Sequence, residues 1–221
     1  LPMIAYESWT SVLDNATEFP YFLRVGPANS DISKVVSTFM RSMNWARIAV
    51  VTDDDAYTSD FGKGVANDMK ENGGTVLYHG IFPALPAKAV VNEGGVKNIS
   101  NHLIRAREKG ARIIFVVAKH DGGYIAMYSA LKDTGFLGEG FAVVVGEMTS
   151  SFLSNDLIAS GTLPVNGVLH MSVAGLHECK AAVCPAKVCG SGCIAQTRHL
   201  NQAYDAVLTL ATGLAPLFRD G

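Results

Sequence analysis

Apolar residues between about residue 30 and residue 171 follow two alternating patterns. Residues 31–43 place apolar side chains three and four positions apart, which predicts a helix with one buried face. Residues 46–51 form a short β-branched run, which predicts a buried strand. The cycle continues with predicted helices near 60–72, 96–109, 123–134 and 150–159, and with predicted strands at 75–78, 112–118, 141–145 and 165–171.

The ends of four predicted helices support this interpretation. Each is followed by a glycine, which suits the left-handed conformation that often closes a helix: Gly73, Gly110, Gly135 and Gly161. Most of the strands are apolar throughout rather than alternating, which indicates a parallel sheet covered by helices on both faces. The predicted fold class is therefore α/β with a doubly wound parallel sheet.

The two ends of the chain do not continue this alternation. Residues 1–6 are extended in character, and residues 195–221 contain an amphipathic helix with Ala203, Val207, Leu210 and Leu214 on one face. A single strand and a single helix cannot bury themselves. We therefore predict one complete lobe and part of a second lobe to which both ends belong.

Composition narrows the class of protein. The 221 residues include 18 Lys+Arg and 20 Asp+Glu, with 48% hydrophobic residues, which excludes a disordered chain and a polybasic nucleic-acid binder. The longest apolar run, residues 113–118, is far shorter than the roughly 20 residues of a membrane-spanning helix. Because the chain starts at Leu1 without the features of a signal peptide, we expect a piece of a longer precursor.

Cysteines and glycosylation sequons favour an oxidising, extracellular compartment. The four cysteines fall in one loop, residues 179–193, and are Cys179, Cys184, Cys189 and Cys193. Disulfides are favoured, with three connectivities open, over a zinc site, because the spacing lacks the C-x2-C pairs of most zinc sites. Asn15 and Asn98 each begin an N-x-S/T sequon and are candidate glycosylation sites.

Candidate binding residues follow the predicted strands, since ligands of open α/β sheets bind outside the carboxyl ends of the strands. These segments are residues 53–57, 81–82, 119–121 and 146–149. The run Asp53, Asp54 and Asp55 is interpreted as turn and helix-cap residues, with magnesium ligands as the alternative. Lys119 and His120 are either ligand contacts or a rim salt bridge.

Catalytic signatures are absent from the sequence. No dinucleotide-binding glycine motif, phosphate-binding loop or nucleophile elbow occurs, and no histidine has the spacing of a metal site. We therefore predict no catalytic residues, no metal site and no cofactor.

Three ordered segments resemble a known family. They are residues 1–8 with 19–27, the block from Trp45 to Tyr57, and residues 203–207 (AYDAV). Together they are similar to the receptor family ligand-binding region, the type 1 periplasmic-binding-protein or Venus-flytrap fold. That family includes class C receptors, natriuretic-peptide receptor cyclases and bacterial branched-chain amino-acid binding proteins.

The resemblance implies a division into lobes. Residues 1–22 would be part of lobe 1, residues 23–172 a complete lobe 2, and residues 173–221 the return to lobe 1. It also implies a homodimer through lobe 1 as a candidate assembly, and contact with a membrane only through segments outside this chain.

Family binding positions map onto individual residues of this sequence. In amino-acid-binding members, a Ser/Thr pair binds the ligand carboxylate. The corresponding residues of this chain are Ser8 and Thr10, and Trp9 between them departs from the family pattern. The polar residue that follows the crossing of the chain between the lobes corresponds to Asn29. The aromatic residue that packs on the ligand corresponds to Tyr57, and the acid that binds the ligand ammonium corresponds to Glu147. The glycine usual after the aromatic is replaced by Thr58. The full list of expected ligand-binding residues is Ser8, Trp9, Asn29, Tyr57, Lys119, His120 and Glu147.

These observations lead to one principal hypothesis and two alternatives. The chain is expected to be the extracellular sensing domain of a receptor that binds a small, amino-acid-like molecule between two lobes and closes by hinge bending. The first alternative is a structural or adhesion module that kept the fold without the ligand, as Trp9 and Thr58 suggest. The second is a magnesium-dependent phosphoacceptor or enzyme of the α/β class that uses Asp53, Asp54 and Asp55.

Overall fold

A computed structural model describes residues 2–5, 8–85, 93–146 and 168–171. One compact unit is Asn29–Ser172, and the other includes Leu1–Ala28. Five predicted features lie outside the described residues: Glu147, the helix at 150–159, Gly161 at its end, the cysteine loop at 179–193 and the amphipathic helix at 195–221.

The first unit contains a small parallel sheet. Strand β1 (Met3–Ala5) pairs with β2 (Phe22–Arg24), and a short 3-10 helix, Ser11–Asp14, lies between them in the chain. The extended character predicted for the start of the chain is thus seen at β1.

The second unit alternates helices and strands. The elements are α1 (Asn29–Ser42), β3 (Arg47–Asp53), α2 (Ala56–Glu71), β4 (Thr75–Phe82), α3 (Glu93–Glu108), β5 (Ile113–Val117), α4 (Asp121–Asp133), β6 (Ala142–Val145) and β7 (Val168–His170). The strands form one parallel sheet in the order β4-β3-β5-β6-β7. This confirms the predicted α/β class with a parallel sheet.

Apolar side chains fill the space on both faces of the sheet. On one face, helices α1 and α2 pack together, and Phe61 of α2 meets Phe115 of β5 with ring centroids 5.3 Å apart. On the other face, α3 and α4 pack together, and Leu103 lies in a cluster with Val51 and Val116. Strands β3 and β5 are buried from both sides, which explains their unbroken apolar sequence.

Three of the predicted glycine helix ends are confirmed. Gly73, Gly110 and Gly135 have φ of 83°, 81° and 71°, a left-handed conformation that side chains with a Cβ rarely adopt. The fourth, Gly161, lies outside the described residues. Helix α1 is instead followed by Asn44 at φ 60°.

Strand β4 is longer than the predicted 75–78. It continues through His79 and Gly80 to Phe82, although neither residue is typical of a strand. Gly80 lies against the His102 ring, where a Cβ would come within 2.6 Å of Nδ1. Contact with a helix about twenty residues later in the chain therefore explains the glycine, and the local pattern does not reveal it.

Within the described part of the chain, no helix combines the length and apolar character needed to cross a membrane.

Candidate functional site

The carboxyl ends of β3 and β5 meet at one edge of the sheet and bring several predicted residues together. Asp53 ends β3, Asp55 precedes α2, and Lys119 follows β5. The two aspartates both bind Lys119, although they lie more than 60 residues away in the chain. The rule that ligands bind outside the carboxyl ends of the strands (the sheet-edge rule) thus predicted that these residues lie close together. The structure shows which of them form hydrogen bonds with each other.

Asp53 is a buried carboxylate that fixes the start of the segment after β5. Its Oδ2 accepts the Lys119 backbone N–H at 2.8 Å, and its Oδ1 accepts the hydroxyl of Thr58. Burial raises the pKa of Asp53, although the hydrogen bonds from Thr58 and Lys119 oppose the rise. The carboxylate therefore holds two elements together at the cost of desolvating a charge.

Asp55 combines a helix cap with an ion pair. Its Oδ1 accepts the Tyr57 N–H at 3.0 Å, which caps α2, and its Oδ2 accepts from Lys119 Nζ at 2.6 Å. Burial alone would raise the pKa of Asp55, but the hydrogen bonds from Lys119 and Tyr57 and the positive charge of Lys119 lower it overall. The Lys119 side chain keeps 39% of its surface exposed, so the ion pair borders on solvent.

The interpretation of the three aspartates as turn and cap residues agrees with their contacts. Asp54 is exposed, and its Oδ1 accepts the Ala84 N–H at 2.7 Å. Asp53 and Asp55 thus both bind Lys119, through its backbone N–H and its Nζ, whereas Asp54 binds the Ala84 N–H instead. Among the residues that the structure describes, no group of three or more His, Cys, Asp or Glu side chains has the geometry of a metal site.

Tyr57 and Asn29 lie where α1 meets α2. The Tyr57 ring is tilted against Phe61 with centroids 6.3 Å apart, and its carbonyl accepts from Asn29 Nδ2 at 3.2 Å. Asn29 Nδ2 also donates to Asp60 at 3.0 Å. Asn29 is buried, and its Oδ1 has no hydrogen-bond partner among the described residues. Asn29 therefore joins the two helices, which the sequence alone did not indicate.

His120 immediately precedes α4, and its carbonyl accepts the Gly123 and Tyr124 N–H groups at 2.9 and 3.2 Å. Gly146 follows β6 at the same edge, and a Cβ there would come within 3.1 Å of Phe61. Glu147 comes next in the chain and lies outside the described residues.

Thr58 is a residue whose role sequence reasoning missed. It is fully buried in the first turn of α2, and its hydroxyl donates to Asp53. The sequence did contain a signal for this role, because Thr58, which has a hydroxyl, stands where the family usually has a glycine. The replacement has a local structural reason, since the hydroxyl supplies a donor to a buried carboxylate.

The remaining expected positions lie in the first unit. Ser8 is half-buried and Trp9 is buried. The loop that contains them is held by Arg24, whose Nη2 donates to the Thr10 carbonyl at 3.2 Å and to Asp14 Oδ1 at 2.6 Å. Arg24 was also missed, although a single charge inside an apolar segment was a signal for a buried contact.

The two sequons occupy different environments. Asn15 is exposed in a turn, where its Oδ1 accepts the Thr17 N–H at 3.1 Å. Asn98 is half-buried within α3 and lines a small cavity beside Phe82. Exposure thus favours Asn15 as the acceptor of a glycan.

A family model described as the receptor family ligand binding region matches residues 1–219.

Proposed function

Since the chain belongs to the receptor family ligand binding region, we propose that it senses a small, polar, amino-acid-like molecule. The observation that supports this ligand class is the Asp55–Lys119 ion pair, which borders on solvent at the carboxyl edge of the sheet. The proposed role is binding rather than catalysis.

The ion pair matches the charges of an amino acid. A ligand ammonium is attracted to Asp55, and a ligand carboxylate is attracted to Lys119 Nζ, which has further donors besides the one that binds Asp55. Charge-assisted hydrogen bonds of this kind are stronger than neutral ones. A zwitterion can therefore bind beside the pair without leaving either protein charge unmatched.

The surroundings keep Lys119 in place. Asp53 holds its backbone N–H, so that only the side chain has to adjust when a ligand binds. The Tyr57 N–H binds Asp55, the cap of α2, and the Tyr57 ring is tilted against Phe61. Pre-organisation of this kind reduces the entropy lost on binding.

The other expected contacts complete the proposal. Ser8 and Trp9 from one lobe, and Asn29, His120 and Glu147 from the other, are the positions that the family resemblance or the sheet-edge rule assigns to the ligand. We propose that binding shifts the protein towards a form closed about the segments that join the lobes, and that the receptor reads this shift.

Calorimetric titration of the full protein with a panel of amino acids tests the ligand class. Lys119→Met removes the cation, and Lys97→Met, an exposed lysine of α3, is the matched control. Loss of a charged hydrogen bond of about 1.5–3 kcal/mol weakens binding roughly 10- to 100-fold in Lys119→Met. Equal affinities of the two variants would show that Lys119 does not contact the ligand.

A module without a ligand is the second candidate function. It is favoured by the burial of Trp9 and by the existing pairing of Lys119 with Asp55. If the protein is correctly folded and the titration shows no heat of binding for any amino acid, the result would support this candidate.

We further propose that the domain is extracellular and carries a glycan on Asn15. The support is the exposure of Asn15 and the cysteine content of the loop at 179–193. Expression through a secretory pathway, followed by enzymatic removal of N-glycans, tests this placement by a change in mass.

A further inference from the structure

Lys119 lies just beyond the paired part of β5. The register between β3 and β5 ends at the pair of Thr52 and Val117, so Lys119 is two residues past the last pair. Its N–H donates instead to Oδ2 of Asp53 at 2.8 Å. The side chain of the last residue of β3 therefore continues the contact between the two segments beyond the end of the ladder.

The side chain of Lys119 is held by the same turn of the chain. Its Nζ donates to Asp55 Oδ2 at 2.6 Å, and Asp55 Oδ1 accepts the Tyr57 N–H at 3.0 Å. Both ends of Lys119 thus bind carboxylates of the turn between β3 and α2. The direction in which the lysine side chain leaves the backbone therefore depends on where the Asp53 carboxylate lies.

A carboxylate keeps its plane only when both of its oxygens are held. The terminal torsion of an aspartate side chain is broad, so a hydrogen bond to one oxygen leaves the other free to turn. Oδ1 of Asp53 accepts the Thr58 hydroxyl, and the Asp55 N–H approaches the same oxygen at 3.4 Å. Because long hydrogen bonds are weak, Thr58 provides the main contact to this oxygen. Thr58 is fully buried, so bulk water does not compete for it.

The Thr58 hydroxyl has one hydrogen and three acceptors nearby. Besides Asp53 Oδ1, the carbonyl oxygens of Asp55 and Asp53 lie 3.2 and 3.4 Å from its Oγ1. Hydrogen bonds to charged acceptors are about twice as strong as neutral ones, so the carboxylate receives the hydrogen. Burial raises the pKa of Asp53 and the hydrogen bond from Thr58 opposes that rise, which agrees with a bond to the charged form.

We propose that Thr58 and Asp53 are positioning residues that hold Lys119 in the orientation that binds the ligand carboxylate. A chain of hydrogen bonds runs from the Thr58 hydroxyl through the Asp53 carboxylate to the Lys119 N–H. This inference rests on the proposed function, in which Lys119 contacts the ligand. Without the Thr58 hydroxyl the carboxylate turns more freely, so Lys119 samples more orientations and binding loses more entropy.

Calorimetric titration of the full protein and its threonine variants with amino acids tests the proposal. Thr58→Val removes the hydroxyl, whereas Thr58→Ser keeps it. Thr52→Val makes the same change at a buried threonine whose hydroxyl has no hydrogen-bond partner among the described residues. We expect binding to weaken roughly three- to tenfold in Thr58→Val, as for residues that share one hydrogen-bond network, and to stay unchanged in the other two variants.

A double variant separates positioning of Lys119 from a general structural effect. Lys119→Met already lacks the ammonium, so adding Thr58→Val to it should weaken binding no further. A loss that is equally large in both backgrounds would show that Thr58 acts through another part of the site and would overturn the proposal. Equal affinities of wild type and Thr58→Val would also overturn it.

Hydrogen exchange of the Lys119 amide gives a readout that needs no ligand. In the free protein, Thr58→Val should speed exchange at Lys119 more than at Val144, a buried residue of β6 that reports general loss of stability. Thr58→Ser and Thr52→Val should leave the Lys119 amide unchanged. Unchanged exchange in Thr58→Val would overturn the positioning role but not the contact of Lys119 with the ligand. If the folded wild type binds no amino acid, the proposed function fails, and the positioning role towards a ligand fails with it.

Discussion

Two buried threonines near the carboxyl end of β3 provide a direct test of how the site is built. Thr58 donates its hydroxyl to the buried carboxylate of Asp53. Thr52 is equally buried, but its Oγ1 has no hydrogen-bond partner among the described residues. Valine has nearly the shape of threonine, so the same substitution at both positions removes a hydroxyl and leaves packing similar.

The two substitutions should change stability in opposite directions. Thr58→Val removes a donor from a charged acceptor, so the free energy of unfolding should fall by about 1.5–3 kcal/mol at pH 7. Thr52→Val removes an unsatisfied polar group, so stability should rise by about 1 kcal/mol. For a chain of this size, the melting temperature changes by about 2–4 °C for each kcal/mol.

The effect of Thr58→Val should also depend on pH. Burial raises the pKa of Asp53 above its ordinary value of 3.8, and the hydrogen bond from Thr58 opposes the rise. As the pH falls through the folded-state pKa, Asp53 becomes protonated and no longer needs a donor for a charge. The cost of Thr58→Val should therefore shrink in acid.

Chemical denaturation of both variants at pH 7 and in mild acid measures these differences. Equal losses of stability in the two variants would refute the argument that Asp53 depends on Thr58. So would a cost of Thr58→Val that grows as the pH falls.

Three further predictions concern other contacts. Asp55→Asn keeps the helix cap but loses the ion pair with Lys119, so stability at pH 7 should fall by less than about 1 kcal/mol. Because the pKa of Asp55 is lowered in the folded protein, the difference in stability from wild type should vanish as the pH falls through that pKa. Chemical denaturation at several pH values measures this difference. Arg24→Met breaks the hydrogen bond to the Thr10 carbonyl and the ion pair with the partly exposed Asp14 and should lower stability by about 1 kcal/mol, and an unchanged melting temperature would contradict this role. Asn15→Gln should abolish the mass change on removal of N-glycans from the secreted protein, and a mass change that persists would assign the glycan elsewhere.

The elements that the sequence predicts well are those whose signals are local. Strand β3 is apolar from Ile48 to Val51 because it is buried on both faces, and Gly73 marks the end of α2 because its φ of 83° suits glycine. Neither signal depends on distant residues. The alternation of helices and strands, and with it the fold class, follows from such local signals.

Other features depend on contacts between distant segments and were therefore missed. Strand β4 contains Gly80 where the His102 ring leaves no room for a Cβ, and nothing near Gly80 in the chain indicates this contact. The position of Asp55 and Lys119 after neighbouring strands predicted that they lie at one edge, and a rim salt bridge was one interpretation of Lys119, but only the structure shows that its partner is Asp55. Side-chain pairing requires the register of neighbouring strands, which a single sequence does not specify.

The most direct test of the central claim is the affinity of the full protein for amino acids, measured by calorimetry beside the Lys119→Met and Lys97→Met variants. Our account predicts saturable heat for at least one amino acid, an affinity roughly 10- to 100-fold weaker in Lys119→Met, and no change in Lys97→Met. Binding that is equal in all three proteins, or absent from the folded wild type, would contradict it.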